Sequence, residues 1–110
     1  MFYAVIWDMN AVSGERKAAA AIRYNKKKDS VSFVAKSSVI PVLTKIFDPD
    51  NRTGIWATSR TSDSPLKRIA RSITGGEFFP EGSGQEDFMK ASMDLEGERS
   101  MTVEWGDGDG

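Results

Sequence analysis

Apolar and polar positions along the chain fall into short blocks with changing period. Residues 2–9, FYAVIWDM, open with aromatic and β-branched side chains and stay apolar on both faces up to Asp8, which predicts an interior strand. Residues 10–17, NAVSGERK, hold the Asn, Ser and Gly of a connection. Residues 15–36 admit two readings. Four consecutive alanines favour a helix from about Glu15 to Asn25 followed by a strand. A hairpin is favoured instead, because Ala20, Ile22 and Tyr24 alternate with Ala21, Arg23 and Asn25, a polar NKKKDS turn follows, and Val31, Phe33 and Ala35 alternate on the return. A helix here would bury little beyond Ile22.

The pattern then changes to helical spacing. In SSVIPVLTKIFDP, Ser38 is placed to cap, Pro41 suits a first turn, and Val39, Val42, Leu43 and Ile46 recur at i, i+3, i+4 and i+7, with Asp48-Pro49 as the stop. GIWATSR is a short strand. SPLKRIARSITGG is a second helix, with Ser64 as N-cap, Pro65 at its first position and Gly75 past its end. EFFPEGSG reads as two phenylalanines, Phe78 and Phe79, between glycines: an apolar flap or partner contact, or a plug for one end of the core. Ser83 and Glu86 have capping-box spacing for a further helix running to about Glu96, with Phe88, Met89, Ser92, Met93 and Leu95 on its inner face and Gly97 as the stop. RSMTVEW is a closing strand, with Met101, Val103 and Trp105 inward.

Together these elements predict an α+β fold. The expected form is a two-layer sandwich whose mixed, mainly antiparallel sheet has four to five strands and carries three to four helices; a three-layer α/β arrangement is the alternative. Residues 1–105 form one domain on this reading, and the glycine- and aspartate-rich residues 106–110 a disordered tail.

Composition narrows the chemistry. Cysteine and histidine are both absent, which removes disulfides, thiolate nucleophiles, the usual neutral-pH base and the usual zinc ligands. The N-terminal run is too short, and too soon followed by Asp8, for a signal peptide or a membrane span, so a soluble, cytoplasmic protein without a cofactor is expected. The net charge of −1 conceals a strong asymmetry: residues 1–76 carry thirteen Lys and Arg against six Asp and Glu, net +7, and residues 77–110 carry two against ten, net −8. Such a layout suits a surface for a polyanion or for an oppositely charged protein.

On a helical wheel Leu66, Ile69, Ala70 and Ile73 share one third of the circumference, while Lys67, Arg68 and Arg71 lie opposite, at a spacing that matches successive phosphates. Arg60 just upstream and Lys26, Lys27 and Lys28 at the hairpin tip extend this candidate polyanion set. The alternative for each is a solvated face. Asp63 would occupy the helix N-terminal donors, and the loop lacks the glycines of a nucleotide cradle. Trp7, Trp56 and Trp105 would make a stacking platform only if gathered on one open face.

Asp8 closes the first strand and Asn10 follows, a placement where many phosphohydrolases hold a divalent metal. VIWDMN resembles the first motif of PIN-type nucleases, and FYAVIWDMN is similar to the opening of a small CRISPR-associated protein family whose first strand also ends in Asp. The resemblance covers residues 2–10 alone. With the strand-end placement it implies a divalent-metal-dependent phosphodiesterase or phosphatase using Asp8, with Asn10 as a candidate co-ligand, although the further carboxylates of a PIN site do not fall at clear strand ends. DPDN at residues 48–51 lacks the ligand spacing of a calcium loop. The favoured expectation is a binding module for nucleic acid or another polyanion, with the metal enzyme and a protein-interaction domain as alternatives.

Overall fold

The computed structural model describes residues 1–8, 17–28, 30–47 and 64–104. Strand β1 (Phe2–Trp7) is followed by the hairpin β2 (Ala18–Asn25) and β3 (Ser30–Ala35), then by α1 (Ile40–Ile46), α2 (Ser64–Ser72), β4 (Gly76–Phe79), α3 (Gln85–Asp94) and β5 (Arg99–Glu104). Every pairing is antiparallel, and the five strands lie in the order β4-β1-β2-β3-β5. The α+β class and the single compact unit expected from sequence are thus present. The predicted strand over residues 54–60 lies outside the described residues.

Residues 18–25 form a strand despite their alanines, because pairing on both sides outweighs helix propensity. Ile22 sits opposite Ala4 on one neighbour and Phe33 on the other, and Tyr24 opposite Phe2 and Val31. Beyond Asn25 the chain turns at the lysines, where Asn25 Oδ1 accepts the backbone N–H groups of Lys27 (3.1 Å) and Lys28 (3.3 Å), an Asx-type turn.

Strand alternation gives the sheet two apolar faces. Phe2, Ala4, Ile6, Ile22, Tyr24, Val31 and Phe33 point to one, where they bury Ile40, Leu43 and Phe47 of the α1 segment and Leu66, Ile69 and Ala70 of α2. Ring contacts knit this core, Phe33 with Phe47 at 5.8 Å and Phe2 with Phe78 at 6.4 Å. Val5 and Ala21 point to the other face and meet Ala91 and Leu95 of α3, with Trp7, Val34, Phe79 and Phe88 at the margin. The expected two-layer sandwich is therefore not the arrangement of these clusters: α1 and α2 cover one face and α3 the other. The small side chain of Ala21 lets α3 approach closely.

Several local expectations change. Val39, not Ser38, takes the N-cap of α1, and Val42 points outward. Residues 76–79 are an edge strand rather than a flap, with Phe78 on the larger core and Phe79 on the smaller. Gly84 takes the N-cap of α3 in place of Ser83, whose Oγ donates to the carbonyl of Pro80 at 2.8 Å. Met89 and Met93 lie exposed, because the inner face follows Phe88, Ala91 and Leu95. Among the described residues no helix is long and apolar enough to cross a membrane.

Candidate functional site

Helix α2 is held against β1 and β4 by Leu66, Ile69 and Ala70, each nearly inaccessible to solvent. Its C-terminal turn closes where Gly75, at φ 85, adopts the left-handed conformation that side chains disfavour, and the Gly75 carbonyl accepts the N–H of Trp7 at 2.9 Å. Gly76 then passes directly under the backbone of Ala70. With its apolar side fixed in this way, the helix turns positions 67 and 71 away from the core, as the wheel predicts. Arg71 is exposed and Lys67 half-buried. Lys45 of α1 is exposed on the same layer.

Lys26, Lys27 and Lys28 are exposed at the hairpin tip, beyond the end of the sheet where Phe2 pairs with Tyr24. The end of α2 feeds into Gly76 at the other end, opposite Ile6. From Phe2 to Ile6 the strand advances about 13 Å at the usual rise. The lysine tip and the end of α2 therefore stand apart along the strand direction and do not converge on one small anion. Arg60 lies outside the described residues, as do Asn10, Trp56 and Trp105.

The two helical layers differ in charge. The segments 40–47 and 64–72 carry Lys45, Lys67, Arg68 and Arg71 and no carboxylate. On the opposite layer, α3 and its following turn carry Glu86, Asp87, Asp94, Glu96 and Glu98, all exposed, against the single cation Lys90, whose Nζ lies 3.8 Å from Glu86. The sequence asymmetry between the two halves of the chain thus persists across these layers.

At the C-terminal end of β1 the register slips, from Ile6 opposite Ala20 to Trp7 opposite Ala18, a bulge that twists the strand end. Beyond it the Asp8 N–H donates to Lys17 O at 2.7 Å, and Lys36 Nζ donates to Asp8 Oδ2 at 3.2 Å. This pair borders a cleft of about 530 Å³ shared by Trp7, Ser38, Val39, Ile73 and Thr74. The sequence did not single out Lys36; the available signal was its place one residue past the inward-facing Ala35, at the end of β3 that lies level with the end of β1 across β2. Trp7 is half-buried, with its indole N–H donating to Glu77 Oε1 at 2.9 Å, so it is held at the β1–β4 edge. No group of three or more His, Cys, Asp or Glu side chains placed to hold a metal occurs among the described residues.

Because Asp8 and Lys36 are both partly exposed, Asp8→Asn is expected to lower folding stability by only about 1 kcal/mol or less, as for other ion pairs open to solvent. Urea unfolding checks this, and a loss of several kcal/mol would show that the carboxylate holds far more of the strand end than the lysine.

Comparison with protein-family models, with curated proteins and with solved structures returns no match.

Proposed function

We propose that the layer formed by α1 and α2 is a docking face for an extended polyanion, with nucleic acid as the favoured class. The observation that supports this reading is the division of charge between the helical segments: 40–47 and 64–72 carry cations and no carboxylate, while α3 and its following turn carry mainly carboxylates. Lys67, Arg68 and Arg71 take the central phosphates, and Lys45 widens the face. Arg60, just upstream of α2, belongs to the same set. Lys26, Lys27 and Lys28 reach the polyanion further along. The tip stands about 13 Å along the strands from the end of α2, a span of about four nucleotides at about 3.4 Å per nucleotide of one duplex strand, which favours an oligomer over a mononucleotide.

Attraction of this kind comes from phosphate neutralisation and counterion release, so it carries little sequence preference and weakens steeply with salt. The acidic α3 layer repels the same ligand, which leaves one side of the molecule for binding. The protein acts here as a cytoplasmic binding module, and no catalytic role is assigned to Asp8.

The test is a titration with short single- and double-stranded oligonucleotides at two salt concentrations, repeated with Lys67→Glu, Arg68→Glu and Arg71→Glu combined. Affinity should fall at least about tenfold in the variant, and the slope of log affinity against log salt should flatten by about 0.9 for each duplex phosphate that is no longer neutralised. Absence of binding at low salt, or binding that the triple variant leaves intact, would remove the proposal.

A further inference from the structure

We infer that the chain assembles with a second copy of itself, the acidic α3 layer of one molecule seated on the basic α1–α2 layer of the next. The proposal goes beyond polyanion binding and does not depend on it, although both use the basic layer. Three observations carry it. The layers are opposite in charge and sit on opposite faces of one sheet, so each molecule presents both halves of a complementary contact. On α3, Met89 and Met93 are 55% and 73% exposed and lie one turn apart beside Glu86 and Lys90, where a shallow groove of about 440 Å³ opens. On α1, Val42 is 46% exposed, one turn from the exposed Lys45 and at the border of the cleft that Asp8 and Lys36 share.

Two large apolar side chains within a charged helix face are the usual make-up of a contact centre with a polar rim, and methionine adapts to an irregular partner surface. A second copy supplies what this face calls for: cations opposite Glu86, Asp87, Asp94 and Glu96, and an apolar residue, Val42, for the methionines. A contact between two different faces is heterologous. It propagates into chains unless its rotation closes a ring, and it leaves one basic layer free at one end of an open chain. Polyanion and second copy then compete for the same layer.

Sedimentation velocity of the full chain, at about 20 mM and about 500 mM salt, tests the assembly, since the Debye length falls to a few ångström towards the higher value. The expected result is a mean mass that rises with protein concentration at low salt and reverts to monomer at high salt. Two variants define the geometry: Lys45→Gln with Lys67→Gln, Arg68→Gln and Arg71→Gln neutralises the basic layer, and Glu86→Gln with Asp87→Asn, Asp94→Asn and Glu96→Gln leaves the acidic one with Glu98 against Lys90 and no net charge. Each alone should remain monomeric. Mixed in equal amounts they should form a dimer that grows no further, because each retains the face the other lacks.

A monomeric wild type at low salt overturns the inference, as does a mixture that stays monomeric or a variant that assembles alone. Oligonucleotide binding by the acidic-layer variant reports on the polyanion reading separately: if that binding is absent while the wild type assembles, only the polyanion reading fails.

Discussion

Gly76→Ala is expected to cost about 3 kcal/mol or more of folding stability, far beyond what one methyl group does on an open surface. A Cβ at this position would land on the carbonyl oxygen of Ala70 and 2.8 Å from its carbonyl carbon. Ala70 is 2% exposed, and the obstructing atoms are helix backbone, which cannot turn aside as a side chain would. Relief requires α2 to lift from β1 and β4, and that motion uncovers Leu66 and Ile69 as well. Gly82→Ala is the matched control. Gly82 has a positive φ of 89° but nothing within 4 Å, so only conformational strain of about 1 kcal/mol is expected there. Urea midpoints of the two variants measure the difference. Equal midpoints would mean that the close approach of α2 to β4 carries no energetic weight.

That packing was only partly legible in the sequence. The hairpin could be read because Tyr24, Ile22 and Ala20 alternate on one strand and Val31, Phe33 and Ala35 on the next, and the observed register joins the same residues. The edge strand Gly76–Phe79 was not legible as one. Its four residues sit between glycines, and what makes them a strand is pairing with β1, more than seventy residues away in sequence for the pair Tyr3 and Phe79. The third layer did leave a trace. A strand apolar on both faces, as FYAVIW is, has to be covered twice, and Val5 and Tyr3 carry that second requirement. Tyr3 meets it through Phe88 of α3, with ring centres 5.0 Å apart.

On α3 itself, hydrophobicity misled where periodicity did not. Met89 and Met93 count as apolar alongside Phe88 and Leu95, yet it is Phe88, Ala91 and Leu95 that keep to the face that meets the sheet. The outward positions 67 and 71 of α2 were legible for the same reason, since Leu66, Ile69 and Ala70 fix the inner side. Which layer each charged segment would join was not. That depends on β4 adding beside β1 and β5 beside β3, with α1 and α2 between β3 and β4 on one face and α3 between β4 and β5 on the other, a matter of topology that residue order leaves open.

Leu95→Ala is expected to separate the layers energetically. The core beneath α3 is small: of its buried members Ala18, Ala21 and Ala91 have little side chain to give, so Leu95, 1% exposed, is the main fully buried anchor that α3 contributes. Truncating it should cost about 2–5 kcal/mol, and nearby alanines, having no reach, leave the cavity open rather than filling it. Most of that loss should appear as local opening of α3, because α1 and α2 hold the other face through a separate and larger cluster. Amide exchange measures it directly. Protection across residues 85–94 should fall by about thirtyfold or more, since each 1.4 kcal/mol is a factor of ten, while the amides of β2 lose less. An equal loss in β2 and α3 would show instead that the sheet and both layers open as one unit. With α3 loosened, the acidic layer is no longer presented as a fixed surface, so self-assembly should weaken in this variant while oligonucleotide binding on the far face persists.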